Sequence, residues 1–147
     1  MIVGHGIDLM STGRIAAAIE RFGERFIRRV YTDREVETVR LRTVTGEGAY
    51  PGQPGAAERP RWPGRAHQMF TAFWAVKEAA MKALGTGNRQ GVAFRDIEVH
   101  HLRTGQPYLM LHGRSAEHAR RLGVERIAVS MTHLDDLSAA SVIFESG

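Results

Sequence analysis

Asp8, Glu78 and Lys82 are the residues whose types and placement suggest chemistry. Glu78 and Lys82 are four apart, so on a helix they share a face. The plainest account of such a pair is a solvated contact contributing about 0.3 kcal/mol. Lysine usage argues for more, because Lys77 and Lys82 are the only lysines in the chain, against eighteen arginines. An ammonium is a compact charge with adjustable protonation, whereas a guanidinium is a planar fork that stays charged. Asp8 lies in residues 2–9, which read as a strand with Gly4, Gly6 and Asp8 on one side. Two glycines beside a carboxylate leave that side open to close approach. The competing account makes Asp8 a strand-end residue that helps the next turn, a common use of aspartate. One or two carboxylates suit Mg²⁺, which keeps several waters and meets substrate phosphates. Beside them, Lys82 can contact those phosphates or act as a base.

Other chemistries find less support. None of the seven histidines pairs at zinc-ligand spacing on one helix, and His100 and His101 face opposite sides of a strand. With no cysteine there is no thiolate ligand and no thiol nucleophile. Neither a phosphate-binding G-x-x-x-x-G-K-[ST] loop nor a G-x-S-x-G elbow occurs. Gly85-Thr86-Gly87 is too short to be a phosphate loop by itself, and helix capping explains Gly85.

The elements that position these residues follow from periodicity. Residues 70–87 form one helix with Phe73, Val76, Ala80, Ala83 and Leu84 as its apolar stripe, closed by Gly85. Ser11 or Thr12 caps an earlier helix with Ile15, Ala18, Ile19 and Phe22 buried and Gly23 at its end. A short helix spans 24–30, and Thr32-Asp-Arg-Glu35 matches a capping box opening a helix to about Arg42. Residues 92–102 alternate as a strand, 104–107 turn, and 108–112 return as the hairpin partner. Ser115 caps a helix to Leu122, and strands at 126–133 and 138–144 complete the chain. Hairpins mixed with helices imply an α+β fold with a largely antiparallel sheet.

At 147 residues the chain is expected to be a single domain, 1–147. Residues 43–66 hold four of the five prolines and five glycines, and read as a mobile insertion. Trp62, Arg59, Arg61 and Arg65 are its candidates for ordering on a partner. No membrane-spanning run and no signal peptide are apparent, which fits a cytoplasmic protein. The net charge of +4 points to an acidic partner, and residues 14–29 are locally +3 through Arg14, Arg21, Arg25, Arg28 and Arg29 against two glutamates.

Three blocks together resemble the holo-acyl-carrier-protein synthases, the small type of 4′-phosphopantetheinyl transferase. Residues 4–15 are similar to the family's G-I-G-I-D opening. Residues 74–87 (Trp-Ala-Val-Lys-Glu-Ala-Ala-Met-Lys-Ala-Leu-Gly-Thr-Gly) resemble its [FW]-A-x-K-E-A-x-x-K-A-x-G-T-G run. Val129-Ser-Met-Thr-His133 resembles its V-S-[IL]-[ST]-H, and Gly105-Gln-Pro107 its hairpin turn. The resemblance implies a phosphopantetheinyl transferase-like fold, with a long helix packed on the sheet. It also implies transfer of phosphopantetheine from coenzyme A to a serine of an acidic acyl carrier protein, of fatty-acid or polyketide type, releasing adenosine 3′,5′-bisphosphate. By the same carry-over Asp8 and Glu78 hold Mg²⁺. Lys82 contacts phosphate or removes a proton, with a metal-bound water as the other candidate base. Gly85, Thr86, Gly87 and His133 line the coenzyme pocket, and Arg14, with Arg21 and Arg25 beside it, meets the carrier. The family is typically a homotrimer with sites between subunits.

Departures from the family pattern are Phe73 where relatives often have arginine, the long insertion, and Leu134-Asp-Asp136 after His133. The alternative class is a non-catalytic basic α+β module that binds nucleic acid or carrier protein. Its nucleic-acid form lacks the aromatic interleaving of a single-strand binder, so the expected partners are carrier and coenzyme.

Overall fold

The computed structural model describes residues 1–43 and 62–147. Strand β1 (Ile2–Ser11) leads into helices α1 (Thr12–Phe22), α2 (Glu24–Val30) and α3 (Asp33–Thr43). Helix α4 (Gly64–Leu84) follows, then the hairpin β2 (Ile97–His101) and β3 (Pro107–Leu111). Helix α5 (Gly113–Arg121) and strands β4 (Arg126–His133) and β5 (Leu137–Glu145) complete the order. Both sheets are antiparallel, one of order β1-β5-β4 and the other the β2-β3 hairpin. The α+β expectation is therefore met.

Helix α4 is the axis of the molecule. It packs against β1, β4 and β5 on one side and against α1, α3 and β2 on others. Its burial consequently extends well beyond one stripe, and Phe70, Phe73, Val76 and Met81 are sealed. Full burial of each such side chain contributes roughly 1.5–3 kcal/mol. Gly4 and Gly6 explain how closely helix and strand approach. A β-carbon on Gly4 would overlap the carbonyl oxygen of Ala83, and one on Gly6 that of Ala79. What comes close to the open side of β1 is thus α4 itself, and Asp8, on the same side, is carried toward that helix.

Several local expectations need correction. The strand expected over 92–102 is only half strand, because Phe94–Asp96 makes a 3-10 turn in which the Asp96 carboxylate accepts the Ala93 N–H at 3.1 Å. Ser115 lies inside α5, whose cap position is His112, and its single hydroxyl proton is shared between the His112 and Asp96 carbonyls at 2.7 and 2.8 Å. Ser11 occupies the α1 cap position without a side-chain cap bond. Phe22 is 51% exposed, because α2 departs at Gly23 and leaves the ring on the rim of a groove. Most of the expected 43–66 insertion lies outside the described residues, but Thr43 and Gly64–Ala66 are helical. Trp62 packs edge-on against Phe70 with ring centroids 5.1 Å apart. The capping box at Thr32 is present in both directions.

Candidate functional site

Strand β1 does not end at Asp8, so aspartate as a strand-end turn residue is excluded. It continues to Ser11, pairs Asp8 with Ala140 on β5, and turns the carboxylate inward. Asp8 Oδ1 accepts from Lys82 Nζ at 3.0 Å, and Lys82 also donates to the Ile7 carbonyl at 2.8 Å. Lys82 thereby clamps the end of α4 to β1. Its side chain is 51% exposed and that of Asp8 13%, so the pair opens to solvent on the lysine side. An ammonium has three N–H donors, and two are engaged here.

Asp8 Oδ2 is buried and has no hydrogen-bond partner among the described residues. Glu78 shares the face of Lys82, and its pKa is raised first by burial, then by the charge of Asp8, against the opposing pull of Lys82. A carboxylate pushed up by burial and by the charge of Asp8, together with an orphaned Asp8 oxygen, fits a divalent cation. Among the described residues no three His, Asp or Glu side chains form a metal cage. Asp8 and Glu78 could hold such a cation only as a sparse pair of oxygen donors, the number that Mg²⁺ takes when waters and phosphate complete its shell.

Gly85 takes a left-handed φ of 74° and its N–H donates to the Lys82 carbonyl, while Thr86 and Gly87 both donate to the Met81 carbonyl. These three N–H groups close the helix, leaving none to cradle a phosphate. The turn borders the Lys82 end of α4, and its small residues leave space there.

His133 stands elsewhere. At the end of β4 it lines a cavity of about 450 Å³ with Arg42, Arg65, Gln68, His101 and Pro107 around a floor that includes Met69, Phe73 and Met131. His101 has its pKa lowered by burial and then by the neighbouring charge of Arg42. The cavity is electropositive and suits an anionic ligand with a flat or apolar part. Asp8, Glu78 and Lys82 do not line it. Asp8 and His133 are on opposite edges of a sheet with β5 between them. Phe73 and Lys82 are nine residues apart on α4, or about 14 Å along its axis. Within one chain the Asp8 cluster and the His133 cavity are thus separate.

Arg14, Arg21 and Arg25 are all exposed and form no ion pair among the described residues. The Arg21 guanidinium lies 5.1 Å above the Phe22 ring. Arg25 lines a groove of about 600 Å³ that also includes Phe22, Ile19, Trp62 and His67. The groove joins positive charge to apolar surface, as a docking face would.

Sequence reasoning left two features undetected. Arg42 and His101 belong to the His133 cavity, and only the fold could have brought them there. The second is the partner of Lys77. This lysine is fully buried, with Glu35 Oε1 at 2.8 Å and the Phe94 and Ile97 carbonyls as its other acceptors. Lysine scarcity marked Lys77, but the capping box accounted for Glu35 and hid its second role.

Comparison with known proteins shows the family. The family model of the 4′-phosphopantetheinyl transferase superfamily matches residues 4–140. A holo-[acyl-carrier-protein] synthase of Solibacter usitatus is 43% identical over 146 residues, covering 99% of this chain and 100% of its own. The crystal structure of the Neisseria meningitidis holo-[acyl-carrier-protein] synthase superposes with a TM-score of 0.72 at 29% identity, over 99% of this chain and 100% of that one. The Bacillus anthracis synthase, solved in complex with CoA (3′,5′-ADP), gives a TM-score of 0.69 at 28% identity, over 100% and 99%.

Proposed function

The chain belongs to the 4′-phosphopantetheinyl transferase superfamily, among its holo-[acyl-carrier-protein] synthases, and from that premise we propose how this enzyme transfers phosphopantetheine from coenzyme A to an acyl carrier protein. The juxtaposition of Asp8, Glu78 and Lys82 carries the reading. A carrier serine oxygen forms a bond to the phosphorus that bears pantetheine. The bond from that phosphorus to the bridging pyrophosphate oxygen breaks, adenosine 3′,5′-bisphosphate leaves with the electron pair, and the serine proton passes to a base.

Asp8 and Glu78 would hold Mg²⁺, which when bound neutralises charge on the pyrophosphate oxygens. Asp8 offers its unpartnered Oδ2 for this while Oδ1 stays on Lys82. The free donor of Lys82 points its role toward a phosphate oxygen, held in place by the Ile7 carbonyl. Such positioning and charge stabilisation supply most of what phosphoryl transfer needs.

Copies of the chain assemble, as a homotrimer, so that the His133 cavity of one faces the Asp8 cluster of the next. Two observations support this reading: the half-sites are separate within one chain, and Ile7 and Leu9 are 63% and 62% exposed on the outer side of β1. The cavity then receives the adenosine end of the coenzyme. Arg14, Arg21 and Arg25 receive the acidic carrier, of fatty-acid or polyketide type. Among the described residues no helix is long and apolar enough to cross a membrane, and cytoplasmic action on both substrates fits that. The non-catalytic basic module gives way to family membership.

The test incubates the protein with apo carriers of both types, coenzyme A and Mg²⁺, and follows carrier mass and adenosine 3′,5′-bisphosphate. One added phosphopantetheine per carrier, lost on chelation of the metal, is expected. An unchanged mass with every carrier would overturn the proposal.

A further inference from the structure

Glu35 and Lys77 make a buried junction outside the reacting cluster. Both side chains are 0% exposed. Around Lys77 Nζ stand three acceptors: Glu35 Oε1 at 2.8 Å, the Phe94 carbonyl at 3.0 Å and the Ile97 carbonyl. That number equals the three N–H donors of an ammonium. Glu35 in turn accepts the Thr32 N–H on Oε1 at 2.8 Å and the Val99 N–H on Oε2 at 2.9 Å. The junction therefore ties α3, α4 and β2 at one point.

These elements are also walls of the His133 cavity. Arg42 comes from the end of α3, Gln68 and Phe73 from α4, His101 from β2 and Pro107 from its hairpin partner β3. Phe73 is one helical turn before Lys77, and His101 is two residues after Val99. Replacing a buried ion pair by apolar residues is often neutral or stabilising, so stability alone does not explain its presence. A group that fixes the spacing of three walls does. The lysine is explained too, since a guanidinium cannot aim three N–H bonds from one nitrogen.

We infer that Glu35 and Lys77 are positioning residues that set the width of the coenzyme cavity without touching its occupant. The inference rests on the reading that this cavity holds the adenosine end of coenzyme A. The pair acts on coenzyme binding through wall geometry, and only indirectly on transfer. Glu35→Gln weakens the pairing while keeping an oxygen for one backbone N–H, and Lys77→Arg keeps the charge but not the geometry.

Calorimetry with coenzyme A on wild type, Glu35→Gln, Lys77→Arg and His133→Ala tests this, with Val142→Ala as a control destabilised in the sheet core. Glu35→Gln and Lys77→Arg are expected to weaken binding about tenfold and raise KM for coenzyme A to match, with kcat of Glu35→Gln changed less than about threefold. Val142→Ala keeps wild-type affinity. His133→Ala without effect would overturn the reading of the cavity. Weakened His133→Ala beside wild-type affinity in Glu35→Gln and Lys77→Arg would overturn the positioning role alone. If Lys77→Arg fails to fold, Glu35→Gln decides. Equal weakening in Val142→Ala reduces the effect to stability and also overturns it.

Discussion

Lys77 and Lys82 sit five residues apart on α4, and their surroundings differ in each respect that matters to an ammonium. Lys77 is sealed, with three acceptors for three donors and a carboxylate equally buried. Lys82 is half exposed, with two acceptors, and its aspartate partner keeps an oxygen unmatched among the described residues. Burial with complete pairing makes a fixed joint, because moving either partner strands a charge in a low dielectric. Exposure with incomplete pairing makes a site, because the remaining valences can be met by a ligand. Arginine cannot replace either one without loss, for different reasons: its fork cannot aim three bonds from one nitrogen at the joint, and it offers no compact charge at the site.

This contrast predicts a separation of stability from activity. The largest effect is expected at the open end: Asp8→Asn or Glu78→Gln should each lower transfer by about a thousandfold, read as carrier mass gain, without loss of fold by circular dichroism. Retained turnover in either variant would remove the carboxylate pair from the site. At the sealed end, Lys77→Met leaves Glu35 buried and unpaired, so urea unfolding should show a loss of about 3–5 kcal/mol. A loss under about 1 kcal/mol would mean the joint is dispensable.

Lys82→Gln should reverse that pattern, with transfer down about tenfold or more while stability changes by less than about 1 kcal/mol. The smallest effect concerns pH. Glu78 has its pKa raised by burial and by Asp8, so in the folded state its ionised form is disfavoured. Below the ordinary carboxylate range both folded and unfolded states bind the proton and no penalty arises. As pH rises through the raised folded value the penalty appears, and stability falls. Glu78→Gln should therefore melt slightly higher than wild type at neutral pH, with the gap closing in acid; a lower melting point at neutral pH would contradict the assigned electrostatics.

What could be read before folding divides along the same line. The open end was legible because its residues announce themselves one by one: the strand alternation that groups Gly4, Gly6 and Asp8, and the helical spacing of Glu78 and Lys82, are local. Even there the ligand-facing meaning given to the two glycines was displaced, since α4 itself fills that side. The sealed end was illegible because Glu35 and Lys77 are forty-two positions apart, and the glutamate already had a local use. Phe22 failed for a similar reason: its spacing placed it on the buried stripe, but only the departure of α2 decides whether anything covers it. His133 was found by motif, yet its separation from Asp8 follows from strand order, which no local pattern encodes.

The central position of β5 has a consequence for synthesis on the ribosome. Among the described residues β1 and β4 pair with β5 and with no other strand. During translation β1 must wait through more than a hundred residues for its neighbour, with the core-facing side chains of Val3 and Met10 unsheltered in the meantime. Contacts of such long sequence separation form slowly, and an unpaired edge is open to adventitious pairing. Asp8 is paired with Ala140 only once the strand ending at Glu145 has cleared the exit tunnel. An incompletely made chain is therefore unable to act on coenzyme or carrier, and nascent chains are the form of this protein that a chaperone has most reason to meet.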